Sequence, residues 1–231
     1  MIDASPGKFN LSVWDVPTRV FHWSLLTLVA VAWATTESSS GFVFQIHLLA
    51  GYLVLGLIVF RLIWGFLGTR YARFHEFVRP WPAVRDYTKR LMLLRPPHSI
   101  GHNPLGVWMI ILLLADLAAI VVTELFGGDV RSGQFDQAGP LAHYVSMGLA
   151  SDLKELHEGL FNILLILVGI HLAGVITDIV LARDNLVRAM ITGYKSVPVG
   201  TAADGAGPAS VVRATAAILV AAAVALLIVS L

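Results

Sequence analysis

Cysteine occurs nowhere among the 231 residues. Its absence excludes disulfides, thiolate zinc sites, iron–sulfur clusters and covalent c-type haem attachment, each of which needs thiol chemistry. Charge is scarce too. Only 13% of residues are Asp, Glu, Lys or Arg, where a soluble domain carries about 25%. The formal net charge is +1, so no electrostatic footprint for nucleic acid exists and no such partner is expected. The first twenty residues lack a basic segment leading into a short apolar core and a small-residue cleavage site, so the N-terminus is expected to be retained. A Gly-rich phosphate loop and internal repeats are also missing.

What is abundant is apolar surface: 57% of residues are hydrophobic and the mean hydropathy is +0.77. Five apolar windows stand out, at about Val20–Thr36, Phe44–Leu67, Leu105–Phe126, Leu156–Ala182 and Ala214–Leu231. Each is close to or above the roughly 20 residues that cross a bilayer as a helix. Soluble core helices are rarely apolar on every face. Barrel strands would alternate strictly, and these windows do not. The predicted class is an all-α membrane protein.

Loop charges set an orientation. Between the second and third windows lie Arg70, Arg73, Arg79, Arg85, Lys89, Arg90 and Arg95, against Glu76 and Asp86. After the fourth come Arg183, Arg188, Lys195 and Arg213. The first and second windows are joined by a stretch whose one charge is Glu37. Between the third and fourth, Glu124, Asp129, Asp136, Asp152 and Glu155 outnumber Arg131 and Lys154. The N-terminus and the long basic loop are therefore expected in the cytoplasm, and the C-terminus outside. Within the basic loop, Val84, Tyr87, Leu91 and Leu94 recur at helical spacing, which suggests a short amphipathic helix on the membrane surface; a solvated loop is the alternative. Val199–Ser210 reads as a flexible linker by composition.

Four of the eight histidines fall inside apolar windows: His22, His47, His157 and His171. His157 and His171 are fourteen residues apart, which on a helix puts them on one face and about 21 Å apart along the axis. Ionisable groups in a span are costly and usually face the bundle interior. With the orientation above, His22 and His171 share the inner depth, and His47 and His157 the outer. Two imidazoles at one depth on facing helices can ligate one iron axially, the arrangement of a bis-histidine haem b, and a helical bundle core accommodates such cofactors. Gly51 and Gly174 lie on the same faces as His47 and His171, where small residues let helices make room or simply pack. Other readings are hydrogen-bonded core histidines and a proton-coupled transporter using Asp116 and Asp178. Zinc is disfavoured, since each depth offers two histidines and no nearby Cys or carboxylate.

Several stretches, in order, carry a family likeness: "VWDVPTRVFHW" (Val13–Trp23), "FRLIWGFLGTRYARF" (Phe60–Phe74), "GHNPLGVW" (Gly101–Trp108), the His157–His171 pair and "DNLVRAMITGYKS" (Asp184–Ser196). The sequence resembles the bacterial cytochrome b561 family, and within it the b-type cytochrome subunits of membrane-bound nickel-iron hydrogenases. The resemblance implies a four-helix transmembrane domain over residues 11–196 with two b haems on the same four histidines. It also implies electron traffic between a periplasmic redox partner and the quinone pool at a bacterial inner membrane. The partner can be a hydrogenase or a c-type cytochrome; a free-standing quinone reductase of the same fold is the alternative. The tail departs from this pattern, with a linker over 197–213 and an additional membrane helix over 214–231.

Other roles follow from position. Arg19, just cytoplasmic of His22, can pair a haem propionate or act only as a topology charge. Arg61 is the stronger candidate for a propionate or quinone site, unless it snorkels to the interface. His102 and Asn103 border a quinone pocket or cap a helix. Asp116 is expected to hydrogen-bond within the bundle. Trp14, Trp23, Trp64 and Trp108 are expected as interfacial belt residues.

Overall fold

A computed structural model of the chain describes residues 7–36, 40–77, 80–97, 99–131, 134–199 and 204–231. Glu37, Arg79, His98 and residues 200–203 of the expected linker lie outside them. All five apolar windows are helical: α1 (Val16–Ala34), α2 (Gly41–Leu67), α5 (Pro104–Phe126), α6 (Met147–Val180) and α8 (Val211–Val229). Three shorter helices are α3 (Phe74–Phe77), α4 (Trp81–Met92) and α7 (Leu186–Thr192). Among the described residues, four helices are long and apolar enough to cross a membrane: α2, α5, α6 and α8. The polar residues at the start of α1, Thr18, Arg19 and His22, dilute its hydropathy.

The chain divides into two compact units. The first holds residues up to Val20, Trp64–Ile110 and Gly169–Ala214; the second holds Phe21–Ile63, Ile111–Val168 and Thr215–Leu231. Every one of the five long helices contributes residues to both.

In the first unit, β1 (Lys8–Ser12) pairs antiparallel with β4 (Tyr194–Pro198), Lys8 opposite Pro198 and Ser12 opposite Tyr194. Val13, Trp14, Leu11, Ala189 and Val197 form its small core. Asp15 is the N-cap of α1, accepting the Thr18 N–H at 2.8 Å as short polar side chains do at helix starts. Its other oxygen accepts from Trp64 Nε1 at 3.0 Å and from the Thr69 hydroxyl at 2.7 Å. Asn185 caps α7 by accepting the Arg188 N–H. Gly193 ends α7 with φ +88°, the left-handed conformation that glycine adopts without penalty. A Cβ there would meet the Trp14 carbonyl at 2.8 Å. The linker is partly docked: Ala206 N–H donates to the Ser12 carbonyl, and Asp204 faces Arg70 at 3.3 Å.

Helix α4 forms where the amphipathic spacing predicts. Val84 and Tyr87 are buried, but the helix stops at Met92 and Leu94 stands outside it with φ +55°. The predicted stripe therefore ends one member early.

In the second unit the core is built from α2 (Val54, Leu55, Ile58), α5 (Leu117, Val121, Leu125) and Leu164 of α6, with α1 and α8 packed against it. Helix α8 joins through small residues: Ala217 and Ala221 are buried, and a Cβ on Gly56 would lie 3.8 Å from Ala225. Such positions let membrane helices approach closely. The tail is thus part of the core rather than an appendage. A hairpin of β2 (Gly128–Arg131) and β3 (Gln134–Ala138) follows α5, and Leu141 N–H returns to the Leu125 carbonyl at 2.8 Å, satisfying the helix end.

Helix α6 begins nine residues before its apolar window. Ser146 starts it, accepting the Leu149 N–H at 3.3 Å. Asp152 and Glu155, read as loop charges, are helical instead, in the second and third turns of α6.

Candidate metal centre

The second unit contains a cavity of about 560 Å³ lined by α1, α2, α5 and α6, a volume within the range of cofactor pockets. His47 and His157 face each other across it, with ring centroids 6.2 Å apart and planes at 65°. His47 Nδ1–H donates to the Ala32 carbonyl at 2.9 Å. His157 Nδ1–H donates to the Ile120 carbonyl at 3.0 Å. A carbonyl oxygen only accepts, so each ring carries a proton on Nδ1, and Nε2 is the nitrogen left to ligate. Metal-binding histidines are held this way, by a backbone acceptor on the nitrogen that does not ligate.

The separation suits one iron between two rings. Imidazole nitrogen bonds a transition metal at about 2 Å, and two such bonds in line put the ring centres about 6 Å apart. The walls include Val29, Leu117, Val121, Phe161 and Leu164, apolar surface for a flat macrocycle, with Lys154, Glu158 and Asn162 as polar groups at the α6 side. Gly51 also lines the cavity, and a Cβ there would meet nothing within 4 Å. The glycine leaves open space beside the ligand it follows by one helical turn. Donor set, spacing and lining all fit a bis-imidazole haem.

The structure corrects one exclusion. A carboxylate does lie at this depth: Glu124 of α5, in the helix rather than the following loop, joins His47 and His157 with donor atoms within 4.8 Å of one another. Its Oε2 is 3.5 Å from His157 Nδ1, the nitrogen already tied to Ile120. Glu124 therefore stands behind the ligand rather than beside its lone pair. Sequence reasoning missed it because an acid in the last turn of an apolar window looks like a loop charge.

His22 lies in the second unit, its ring 5.2 Å from that of Trp23 in an edge-on contact. His171 lies in the first, and the pairing of the two rests on helical depth and family likeness. Arg19 donates to the Ile191 carbonyl. Arg61 is 3% exposed and so does not snorkel. Neither arginine lines the cavity. Asn103 caps α5, accepting the Gly106 N–H at 2.7 Å, and donates to Asp178 at 2.8 Å. Asp178 also accepts from the Tyr87 hydroxyl at 3.3 Å. His102 packs against Trp14, centroids 4.5 Å apart. Asp116 is buried, and its Oδ2 has no hydrogen-bond partner among the described residues, contrary to expectation. Trp14 and Trp64 are core residues, 6% and 1% exposed, whereas Trp23 and Trp108 are exposed as belt residues would be.

The family model described as prokaryotic cytochrome b561 matches residues 13–193. The chain belongs to that family. Membership implies a b-type haem and makes the chain a multi-pass membrane protein of electron transport. Among relatives, a probable Ni/Fe-hydrogenase B-type cytochrome subunit of Rhizobium leguminosarum bv. viciae is 23% identical, over 80% of this chain and 89% of the relative. A probable Ni/Fe-hydrogenase 1 B-type cytochrome subunit of Escherichia coli K12 is 23% identical over 80% and 90%. One from Rhodobacter capsulatus is 24% identical over 82% of each. No solved structure matches the chain.

Proposed function

We propose that this chain is the membrane-embedded electron carrier of a nickel-iron hydrogenase, holding two b haems and linking a periplasmic redox partner to quinone. The observation that carries the reading is the pair His47 and His157. Both rings are fixed through Nδ1 by backbone carbonyls, and they face each other at 6.2 Å across a cavity with more apolar than polar wall. The names of the relatives support a hydrogenase as the partner; a c-type cytochrome is the other class that such a carrier serves.

A bound b haem supplies a one-electron iron couple. The chain's own residues supply the rest. His47 and His157 hold the outer group, between helix walls that supply Val29, Leu117, Val121 and Leu164. His22 and His171 hold the inner one by the depth reading. Buried Arg61 provides a cation for a propionate or for quinone, and His102 and Asn103 border the quinone on the cytoplasmic side. The N-terminus is cytoplasmic in a bacterial inner membrane.

Reduced-minus-oxidised spectra of the purified chain test this. Wild type should carry two b haems. Substituting His47 or His157 by Ala should remove one haem, and substituting His22 or His171 should remove the other. Two haems surviving in all four variants would overturn the ligand assignment. Co-purification with a hydrogenase tests the partner.

A further inference from the structure

The two imidazoles at the cavity are not in equivalent surroundings. His47 Nδ1 hydrogen-bonds only to uncharged groups, the Ala32 carbonyl at 2.9 Å and the Thr35 hydroxyl at 3.5 Å; a Glu124 oxygen lies within 4.8 Å of a His47 ring nitrogen without reaching ion-pair distance. His157 Nδ1 meets the Ile120 carbonyl at 3.0 Å and, in addition, Glu124 Oε2 at 3.5 Å. Both partners of that contact are largely buried, with side chains 16% and 21% exposed. Charges there are screened far less than in water. The cation on the cavity wall, Lys154, is engaged elsewhere, 2.8 Å from Asp129. The carboxylate of Glu124 is thus directed at the His157 ring and not at a lysine.

We propose that Glu124 is a positioning residue that acts through His157, making this imidazole the stronger electron donor of the pair and holding down the reduction potential of the haem it binds. The inference rests on the reading of His47 and His157 as axial ligands. The reaction concerned transfers one electron from a one-electron donor to ferric iron, giving ferrous iron, and moves no atom. The oxidised form carries one more positive charge. A fixed anion behind the ligand favours that form, and a more basic imidazole does the same.

The test is a mediated redox titration, with dithionite as reductant, of the haem-loaded full chain, with the low-spin ferric resonance spectrum as a second readout. Glu124→Gln should keep two haems per chain, raise the midpoint of one of them and alter its ferric signal. Glu124→Asp, which keeps the charge, should return the midpoint toward wild type. Glu155→Gln removes the same charge from an exposed site two residues before His157 and should leave both midpoints in place. Unchanged midpoints in Glu124→Gln would overturn the proposal. Loss of haem in both Glu124 variants would also overturn it, since the residue would then be structural. Failure of the ligand reading shows separately, as haem retained when His47 or His157 is replaced by Ala.

Discussion

Gly51 is the residue whose replacement most directly probes the cavity. A Cβ there would meet nothing within 4 Å beyond its own stretch of helix, so the side chain starts out into open space. A cofactor seated in the cavity would occupy that space. Gly51→Leu should therefore leave the chain folded and inserted but reduce its haem content well below two per chain, read from the pigment-to-protein ratio. The facing pair His47 and His157 was legible because an imidazole in an apolar span needs a reason to be there, and helical rise sorts such residues by depth; the pairing of His22 with His171 remains a reading from depth. Glu124 was not legible, because its role depends on α6 packing beside α5. Trp64 was misread for a related reason. Composition places a tryptophan near a membrane interface, whereas its burial follows from Asp15, forty-nine residues away, accepting its N–H.

At the scale of elements, Asp15 joins the start of α1 to the end of α2. Asp15→Ala removes a helix cap, a loss of about 1 kcal/mol, and deletes the carboxylate that accepts from Trp64 and Thr69, which adds about 1–3 kcal/mol. The thermal midpoint in detergent should fall clearly. Asp15→Asn should lie between, since an amide oxygen can cap but an amide nitrogen cannot accept from Trp64 and Thr69. Helix α4 carries a pH dependence. Burial, with the nearby Asp178 carboxylate second, pushes the Tyr87 hydroxyl well above its ordinary value of 10.0. The folded chain then holds that proton more tightly than the unfolded chain. The associated stability is complete below pH 10.0 and is lost as pH rises beyond it. Tyr87→Phe should lower the midpoint slightly at neutral pH and blunt the alkaline decline; parallel declines in both proteins would refute the coupling. The long helices were legible from apolar runs alone. The strands were not: β1 and β4 are five residues each and meet across most of the chain, and no local pattern encodes such a pairing.

At the scale of the whole molecule, the β1–β4 ribbon constrains how the chain threads a membrane. Two hydrogen-bonded strands lie on one side of a bilayer, so an even number of crossings must separate them. Between Ser12 and Tyr194 stand α2, α5 and α6, each long and apolar enough to cross. Three crossings would put the strands on opposite sides. Helix α1, with 19 residues, supplies the fourth despite its polar start. A crossing by α8, which is long and apolar enough for one, would make five in all and put the two termini on opposite sides. The chain has no cysteine, so single introduced thiols report this directly. Arg90→Cys, on α4, should react with an impermeant maleimide only after the inner membrane is breached. His143→Cys, in the exposed segment before α6, should react in intact spheroplasts. Ser230→Cys, just past α8, should behave like His143→Cys. If Ser230→Cys instead behaved like Arg90→Cys, α8 would not cross. If Arg90→Cys and His143→Cys exchanged behaviour, the threading would stand but its orientation would invert, and the haem on His47 and His157 would face the cytoplasm.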